Sequence, residues 1–375
     1  ASVGAGLADD LGFSTAFAAD GPEALSFGAR EALVALMQET PANRILPLIN
    51  ERLRGGTSLR ELVACAALAN SRSFGGQDYI GFHTLMALPP ALEMAGALPE
   101  DSRALPIFKV LYRNTNRIQE HGGRPREVLH PVAAGTAPEA ERSGETLRER
   151  VRGRNLAEAE QTLAAITARN ADEAFNSLLY TVQDATEVHR TVLPYRAWEL
   201  IGIIGREQAL TLLRNSLRFC IQAENNARYV EYNAPVRRLL PRLLDEHRLV
   251  SRPLGDRAAE DAWVERFSQT VFTATTPERA AEAVAGALAE GMAPAAISEA
   301  LSLAANQLLL RDEGRRTAEG PNKPVGSVHG DSIGVHGSDS CNAWRNMAAA
   351  ANPRNKAACL ILAGYQIAQD RTNRG

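Results

Sequence analysis

Apolar residues recur three and four positions apart along most of this chain, a spacing that places them on one face of an α-helix. Ala, Leu, Glu, Arg and Gln dominate and alternating Val/Ile/Thr segments are hard to find, which also favours helix. The predicted helices cover residues 29–39, 44–54, 58–72, 79–97, 102–120, 155–168, 171–184, 188–203, 205–225, 233–247, 257–272, 277–290, 294–311, 335–350 and 353–370. We therefore predict an all-α fold, with a single large helical domain over 26–375 after an N-terminal arm, 1–25.

Two long segments lack this periodicity and are predicted to be loops. Residues 121–145 carry Gly, Pro, Arg and Glu, and residues 312–334 are richer still in Gly and charge. A loop of this length in a compact protein is usually functional or disordered. The second loop contains His329 and Asp331 and ends just before Val335-His336, so we favour a functional loop.

Composition excludes several function classes. The 375 residues are 45% hydrophobic and 23% charged, with a net charge of -3, which is ordinary for a soluble globular protein and does not suggest nucleic acid or an anionic membrane as a partner. No apolar run reaches the roughly 18 residues that span a bilayer. The four cysteines are too far apart for a CxxC zinc motif or a disulfide framework. Motifs for nucleotide binding, zinc proteolysis, serine hydrolysis and c-type haem attachment are also missing.

The first residues bear on localisation. Small apolar residues ending in Ala16-Phe17-Ala18 look like the tail of a secretory signal with its cleavage site. This pattern favours export to the periplasm or the extracellular space. The alternative is a mobile N-terminal arm on a cytoplasmic protein.

Three histidines stand at predicted helix starts in the same setting. They end the tetrapeptides Ile80-Gly81-Phe82-His83, Thr186-Glu187-Val188-His189 and Ile333-Gly334-Val335-His336, each followed by an amphipathic run. The helix dipole disfavours the imidazolium form there and keeps the ring in the neutral state that binds metals. Three such positions in register predict a shared metal ion, and the alternative is three separate caps or partly buried side chains.

Flanking motifs suggest that each histidine belongs to a repeated unit. Residues 111–117 and 212–218 both read L-x-R-N-[T/S]-x-R, after His83 and His189 respectively, and Ala197-Trp198 corresponds to Ala343-Trp344. We therefore predict about three pseudo-repeated helical units around a central site. Chance matching in an Ala- and Leu-rich helical chain is the alternative.

Other residues near these motifs could complete a site. Two histidines and one carboxylate form the usual non-haem iron triad, and Asp331, Asp339 and Glu187 could serve as ligands or as acceptors that hold a histidine ring. His329 is a fourth candidate ligand, because Val-His-Gly occurs at both His329 and His336, and His130 is a reserve.

Several side chains are candidates for catalysis or substrate binding. We predict catalytic roles for Arg190, Asp331 and Asp339, because an arginine beside a metal pocket could bind an anionic or quinone oxygen. Substrate-binding candidates are aromatic: Tyr195, Trp198 and Trp344. The alternatives are an Arg–Glu network that ties helices together and aromatic side chains that belong to the core.

Three patches resemble motifs of the questin oxidase-like family. Phe82-His83-Thr84-Leu85-Met86 through Ala91-Leu92-Glu93 is similar to its pattern F-H-P-L-I-x-L-x-x-A-L-E, and Val188-His189 through Ala197-Trp198-Glu199 is similar to a second copy of it. The segment from His336 through Ala343-Trp344-Arg345 is similar to the family's other pattern, H-x-V-T-x-x-x-A-L-R. The resemblance implies a helical metal-dependent oxygenase that opens or oxidises polycyclic quinone rings. Some relatives bind iron through several histidines and a carboxylated lysine. The matching histidines are His83, His189 and His336, whereas the lysines, Lys109, Lys323 and Lys356, lie outside the matched motifs.

These observations together predict a non-haem iron oxygenase. His83, His189 and His336, helped by His329, would hold Fe(II), and O2 and an aromatic, phenolic or quinone-type small molecule would be the substrates. One alternative is a zinc- or manganese-dependent hydrolase or lyase. Another is a non-enzymatic helical-repeat binding protein with the loop at 312–334 as a partner surface. The sequence leaves the oligomeric state open.

Overall fold

The computed structural model describes residues 23–327 and 332–374, and it confirms the all-α fold as one compact domain. In the described part the only β-type pairing is an isolated bridge between Arg257 and Met292. The helices are α1 (Glu31–Glu39), α2 (Ala42–Arg54), α3 (Leu59–Phe74), α4 (Tyr79–Ala97), α5 (Ala104–Glu120), α6 (Ser143–Arg152), α7 (Leu156–Arg169), α8 (Ala171–Val182), α9 (Val188–Ile204), α10 (Ala209–Glu224), α11 (Ala227–Tyr232), α12 (Ala234–Glu246), α13 (Asp261–Phe272), α14 (Pro277–Ala289), α15 (Pro294–Leu310), α16 (Ile333–Ala350) and α17 (Pro353–Arg374). No described helix is long and apolar enough to cross a membrane.

Side-chain caps fix where the three histidine-bearing helices begin. Asp78 accepts a hydrogen bond from the Gly81 N–H at the start of α4, and Ser332 accepts one from Val335 at the start of α16. Glu187 caps α9 by accepting from two successive backbone N–H groups. Each cap satisfies a donor that the first helical turn leaves unpaired. The histidines therefore lie in the first or second turn of their helices, as predicted.

Helix packing brings these three helices together. Each packs against the helix that follows it, in the pairs α4–α5, α9–α10 and α16–α17, and α9 also contacts both α4 and α16. Helix α9 is thus the central element of the site. That these helix pairs are pseudo-repeated units stays a prediction.

The repeated asparagine has a structural explanation. Asn114 and Asn215, from the two L-x-R-N motifs, are both buried and both bind α3. Asn70 Nδ2 donates to Asn114 Oδ1 over 2.6 Å, and Asn215 Nδ2 donates to Ser71 Oγ over 3.0 Å. Buried amides need such partners, so the motif ties α5 and α10 to neighbouring positions of one helix.

Two described helices are absent from the prediction. α6 is highly charged and has only a few apolar positions, and α11 has six residues, too few for a periodic signal. Part of the predicted loop 121–145 therefore belongs to α6. The rest is irregular but hydrogen-bonded, because Val128 and Leu129 donate to the Arg72 carbonyl over 2.8 and 3.0 Å.

Some predictions lie outside the described residues. Residues 312–327 are irregular, as predicted, but His329 and Asp331 fall in the segment 328–331, which the structure does not describe. Most of the proposed N-terminal arm, residues 1–22, also lies outside.

Candidate metal centre

The His83 and His189 rings meet face to edge between α4 and α9. Their Nε2 atoms lie 3.2 Å apart and their ring centroids 4.8 Å apart, although 106 positions separate the two residues in sequence. Both side chains are partly buried. Two of the four predicted ligands are therefore brought together at hydrogen-bond distance.

The hydrogen bonds of the two Nδ1 atoms determine whether the facing Nε2 atoms carry a proton or a lone pair. His83 Nδ1 is 2.6 Å from the Tyr79 carbonyl oxygen, which can only accept, so Nδ1 is the protonated nitrogen. His189 Nδ1 is 2.6 Å from Glu187 Oε1. With an ionised Glu187, both Nδ1 atoms donate, and in the neutral rings both facing Nε2 atoms carry bare lone pairs.

Glu187 has the charge state that this arrangement needs. Burial raises the pKa of its carboxyl, but the hydrogen bond and charge of His189 and the backbone N–H groups of His189 and Arg190 lower it more, so the pKa lies below its ordinary value. The carboxylate thus caps α9 and orients the His189 ring at once. Carboxylate and carbonyl acceptors of this kind hold histidine ligands in metal sites.

His336 and Asp339, three positions apart on α16, lie near the histidine pair. The His336 ring centroid is 5.9 Å from that of His189. The Asp339 residue is exposed to solvent, but its carboxyl is partly desolvated by neighbouring groups. Desolvation raises the pKa of its carboxyl, and the charges of Arg196 and of all three imidazoles act to lower it. The three helix-start histidines and Asp339 thus share one electrostatic environment.

Aromatic rings surround the histidine pair. The Phe82 centroid lies 4.9 Å from that of His83 and 5.1 Å from that of His189, and the Tyr79 centroid lies 4.5 and 5.6 Å from them. These contacts restrict the orientation of both imidazoles.

The other predicted site residues lie in different settings. Arg190 is buried and donates to Glu224 over 3.1 Å and to the Thr181 carbonyl, so it joins helices in the Arg–Glu network that was the alternative. Trp344 is fully buried and donates to Gln366 over 2.8 Å, and Trp198 stacks on Phe175. These are core contacts, and none of the three lines the cavities beside the histidines described below.

Tyr195 lies two turns after His189 on α9 and is partly buried. Its hydroxyl donates to Glu199 Oε1 over 2.8 Å. Burial, with this hydrogen bond, raises the pKa of Tyr195 to about 12. The phenol is therefore a neutral donor at physiological pH, and a substrate-binding role for it stays a prediction.

Two open cavities meet at the histidine pair. One, about 550 Å³, lies between α4 and α5 and includes His83 in its lining. The other, about 920 Å³, lies between α4, α9, α10 and α11 and includes His189 and Glu187. Tyr79 lines both, so the imidazoles stand at the boundary between two spaces large enough for small molecules.

Asp370 on α17 was missed by the sequence analysis. Its Oδ2 is buried and has no hydrogen-bond partner among the described residues, and burial together with the charge of Glu187 raises its pKa to about 7. The same oxygen would lie 3.3 Å from a Cβ placed on Gly337, next to His336. A single Asp near the end of an amphipathic helix gives no signal that it is buried.

The described residues do not by themselves form a complete metal cage. Among them, no group of three or more His, Cys, Asp or Glu side chains has the spacing of a metal site. The geometry supplies two facing imidazole nitrogens, with His336 and Asp339 nearby.

The cap of α4 gives a testable pH dependence. The Arg117 guanidinium, 2.6 Å from Asp78, lowers the pKa of that carboxyl against the opposing effect of burial. A lowered pKa stabilises the fold above the ordinary value of 3.8 and stops doing so as the pH falls through the folded-state value. Asp78→Asn keeps a capping oxygen but loses the ion pair. We therefore expect its free energy of unfolding at pH 7 to be about 1–2 kcal/mol lower than that of the wild type.

Urea unfolding at pH 7 and pH 3 checks this expectation. The difference between wild type and Asp78→Asn should shrink at pH 3, because below the ordinary value of 3.8 the unfolded wild-type chain takes up a proton at this carboxyl and the advantage of the ionised folded form declines. Glu120→Gln, which changes the exposed second partner of Arg117, is the matched control and should have little effect. An equal destabilisation at both pH values would contradict the assigned ion pair.

Comparison with known proteins adds no relative to this picture: no protein-family model, no curated protein and no solved structure matches this chain.

Proposed function

We propose that this chain is a non-haem metal-dependent oxygenase, with Fe(II) as its metal, that acts on an apolar, ring-containing substrate. The observation that carries the proposal is the pair of facing Nε2 atoms of His83 and His189, 3.2 Å apart. With both Nδ1 atoms donating, two lone pairs would repel at this distance. A cation between them, bound by both nitrogens, removes that repulsion.

The donor set fits a transition metal. Two nitrogens that each bind one ion at about 2.0–2.1 Å lie roughly 3.3 Å apart in tetrahedral geometry. Imidazole suits iron, zinc, copper and nickel, and two histidines with one carboxylate and open positions are typical of non-haem iron oxygenases. His336 and Asp339 are the nearest described candidates for a third ligand, and His329 and Asp331 precede them on the same segment of chain.

The surroundings favour oxygenation over hydrolysis. The cavity beside His83 has mainly apolar walls and no carboxylate among the described residues that line it. Glu187, the carboxylate that lines the other cavity, is engaged by the His189 ring and by two backbone N–H groups. In such a site bound iron supplies one-electron chemistry with O2. The protein's own residues would hold the substrate against α4, orient the imidazoles through Tyr79 and Glu187, and present the buried Phe82 ring to both of them. The resemblance of three sequence patches to motifs of the questin oxidase-like family supports the same chemistry.

Metal binding and oxygen uptake test the proposal. Protein purified without a His tag and stripped with EDTA should bind one Fe(II) per chain under anaerobic conditions. At an Fe(II) concentration about 100-fold above the Kd, binding should add about 2.7 kcal/mol to the free energy of unfolding. With an apolar ring-containing substrate, the loaded protein should consume O2. A chain that binds no divalent transition metal, or that holds zinc and releases a hydrolysis product without O2 uptake, would overturn the proposal.

A further inference from the structure

The cavity beside His83 has a defined shape and chemistry. We call it the α4–α5 cleft, about 550 Å³ in volume, within the range of small-molecule sites. Its walls are mainly apolar side chains from the two helices: Ile80, Ala87, Pro90, Ala91, Met94, Pro106 and Val110. Met94 is 58% exposed, which is unusual for so large an apolar side chain and leaves the cleft open to a ligand.

Two cations border this apolar cleft. Lys109 and Arg113 lie four positions apart on α5, so they share one face, and both are exposed and line the cleft. Neither makes an ion pair within 4 Å with any residue that the structure describes, although the charge of Arg113 acts at longer range on Glu120. By contrast Arg117, one turn further along, pairs with Asp78 and Glu120 over 2.6 and 3.0 Å. Like charges at this spacing repel, and an anion placed between them would relieve the repulsion.

The cations lie close to the candidate metal centre. Thr84 Oγ1 donates to Asn114 Oδ1 over 2.9 Å, which fixes the register of α4 against α5. His83 and Arg113 are the residues next to this pair, so they stand at the same level of the cleft, and Lys109 lies one turn away. A ligand held by the two cations is therefore within reach of His83.

We propose that the α4–α5 cleft binds an apolar organic acid, whose carboxylate contacts Lys109 and Arg113 and whose apolar body packs along α4. A carboxylate accepts strong charge-assisted hydrogen bonds from both cation types. That this acid is the substrate rests on the proposed function, whereas its binding does not require the metal. A substrate bound in this way would be a ring-containing compound that carries a carboxylate.

A matched pair of probes tests the charge requirement. Isothermal titration of the EDTA-stripped protein should show 2-naphthoate binding at least about tenfold more tightly than neutral 2-naphthamide, which has the same ring system. The double variant Lys109→Gln/Arg113→Gln should bind naphthoate no better than naphthamide. Arg52→Gln/Arg54→Gln, which removes two exposed charges from α2, is the control and should leave both affinities unchanged.

A second variant tests the location. Ala87→Phe adds a ring to the cleft wall without changing charge, so it should weaken both probes. Equal affinity for the two probes, or full naphthoate affinity in the Lys109→Gln/Arg113→Gln protein, would overturn the cleft proposal. Because these titrations use metal-free protein, a chain that binds naphthoate as expected but binds no metal would contradict only the proposed function. A chain that binds Fe(II) but not naphthoate would contradict only this inference.

Discussion

Replacing His83 or His189 by alanine should lower the affinity of the chain for Fe(II) by at least about 100-fold. Each substitution removes one of the two nitrogens that face each other at 3.2 Å, and loss of an outer-sphere partner alone typically costs 10–100-fold. Both side chains are partly buried at the edges of open cavities, so the variants should fold. Anaerobic Fe(II) titration, followed by calorimetry or by competition with a chelator, measures the change.

A graded series distinguishes ligands from their supports. Glu187→Gln keeps the size of the side chain that holds His189 Nδ1 but removes its charge, so we expect an intermediate loss of about 10–100-fold. His247→Ala changes the residue that ends α12 and should leave metal affinity unchanged. Wild-type affinity in either the His83 or the His189 variant would show that the pair does not bind the metal.

The same variants distinguish a metal ion from a proton as the species that joins the His83 and His189 rings. If a proton bridges the two rings, His83→Ala should lower the stability of the EDTA-treated protein at acid pH, and Fe(II) should not stabilise the wild type. If a metal bridges them, Fe(II) should raise the unfolding free energy of the wild type and not that of either variant.

Asp370→Asn should stabilise the metal-free protein at alkaline pH. Burial and the nearby Glu187 raise the folded-state pKa of Asp370 to about 7 from an ordinary 3.8. A raised carboxyl pKa favours the folded state while the group is neutral, and that contribution is lost as the pH rises through about 7. The pKa shift corresponds to roughly 4 kcal/mol of lost stability in the wild type at pH 8. Because the buried Asn amide would itself lack some hydrogen bonds, we expect the free energy of unfolding of Asp370→Asn to exceed that of the wild type by about 1–4 kcal/mol.

Urea unfolding in EDTA between pH 4.5 and pH 8.5 measures this effect. The wild type should lose stability across the window, whereas Asp370→Asn should show a flatter profile and exceed the wild type most at the alkaline end. Asp245→Asn, an exposed carboxyl on α12, is the control and should follow the wild type. Parallel profiles for wild type and Asp370→Asn would contradict the assigned burial of the charge.

Local sequence patterns predicted most of the helices and the starts of the three that matter. The apolar period of an α-helix is visible in a window of a few turns, and Asp78 and Glu187 are capping residues directly before two of the predicted helices. The third helix begins at Ile333 after its cap Ser332, two residues before the predicted start at 335. α6 and α11 lacked that signal because one is mostly charged and the other is shorter than two turns.

The roles of individual side chains depended on surroundings that the sequence does not show. Trp198 and Trp344 occupy matching positions in the repeated motif, yet Trp344 is sealed in the core and Trp198 is only partly buried. Arg113 and Arg214 also match, but Arg113 borders a cleft whereas Arg214 is buried against Glu160 at 2.9 Å. Equivalent positions in a repeat acquire different neighbours wherever the units pack differently.

By itself, the sequence determined that the chain is helical and that three histidines stand near helix starts, because both properties depend on residues within a few turns of one another. Only the tertiary structure decided that His83 and His189 meet, that Glu187 holds one of them, and that the Oδ2 atom of Asp370 is buried nearby. Those facts depend on how α9 packs against α4 and α16. Contacts between residues more than 100 positions apart are set by the burial of whole helix faces, which no local period encodes.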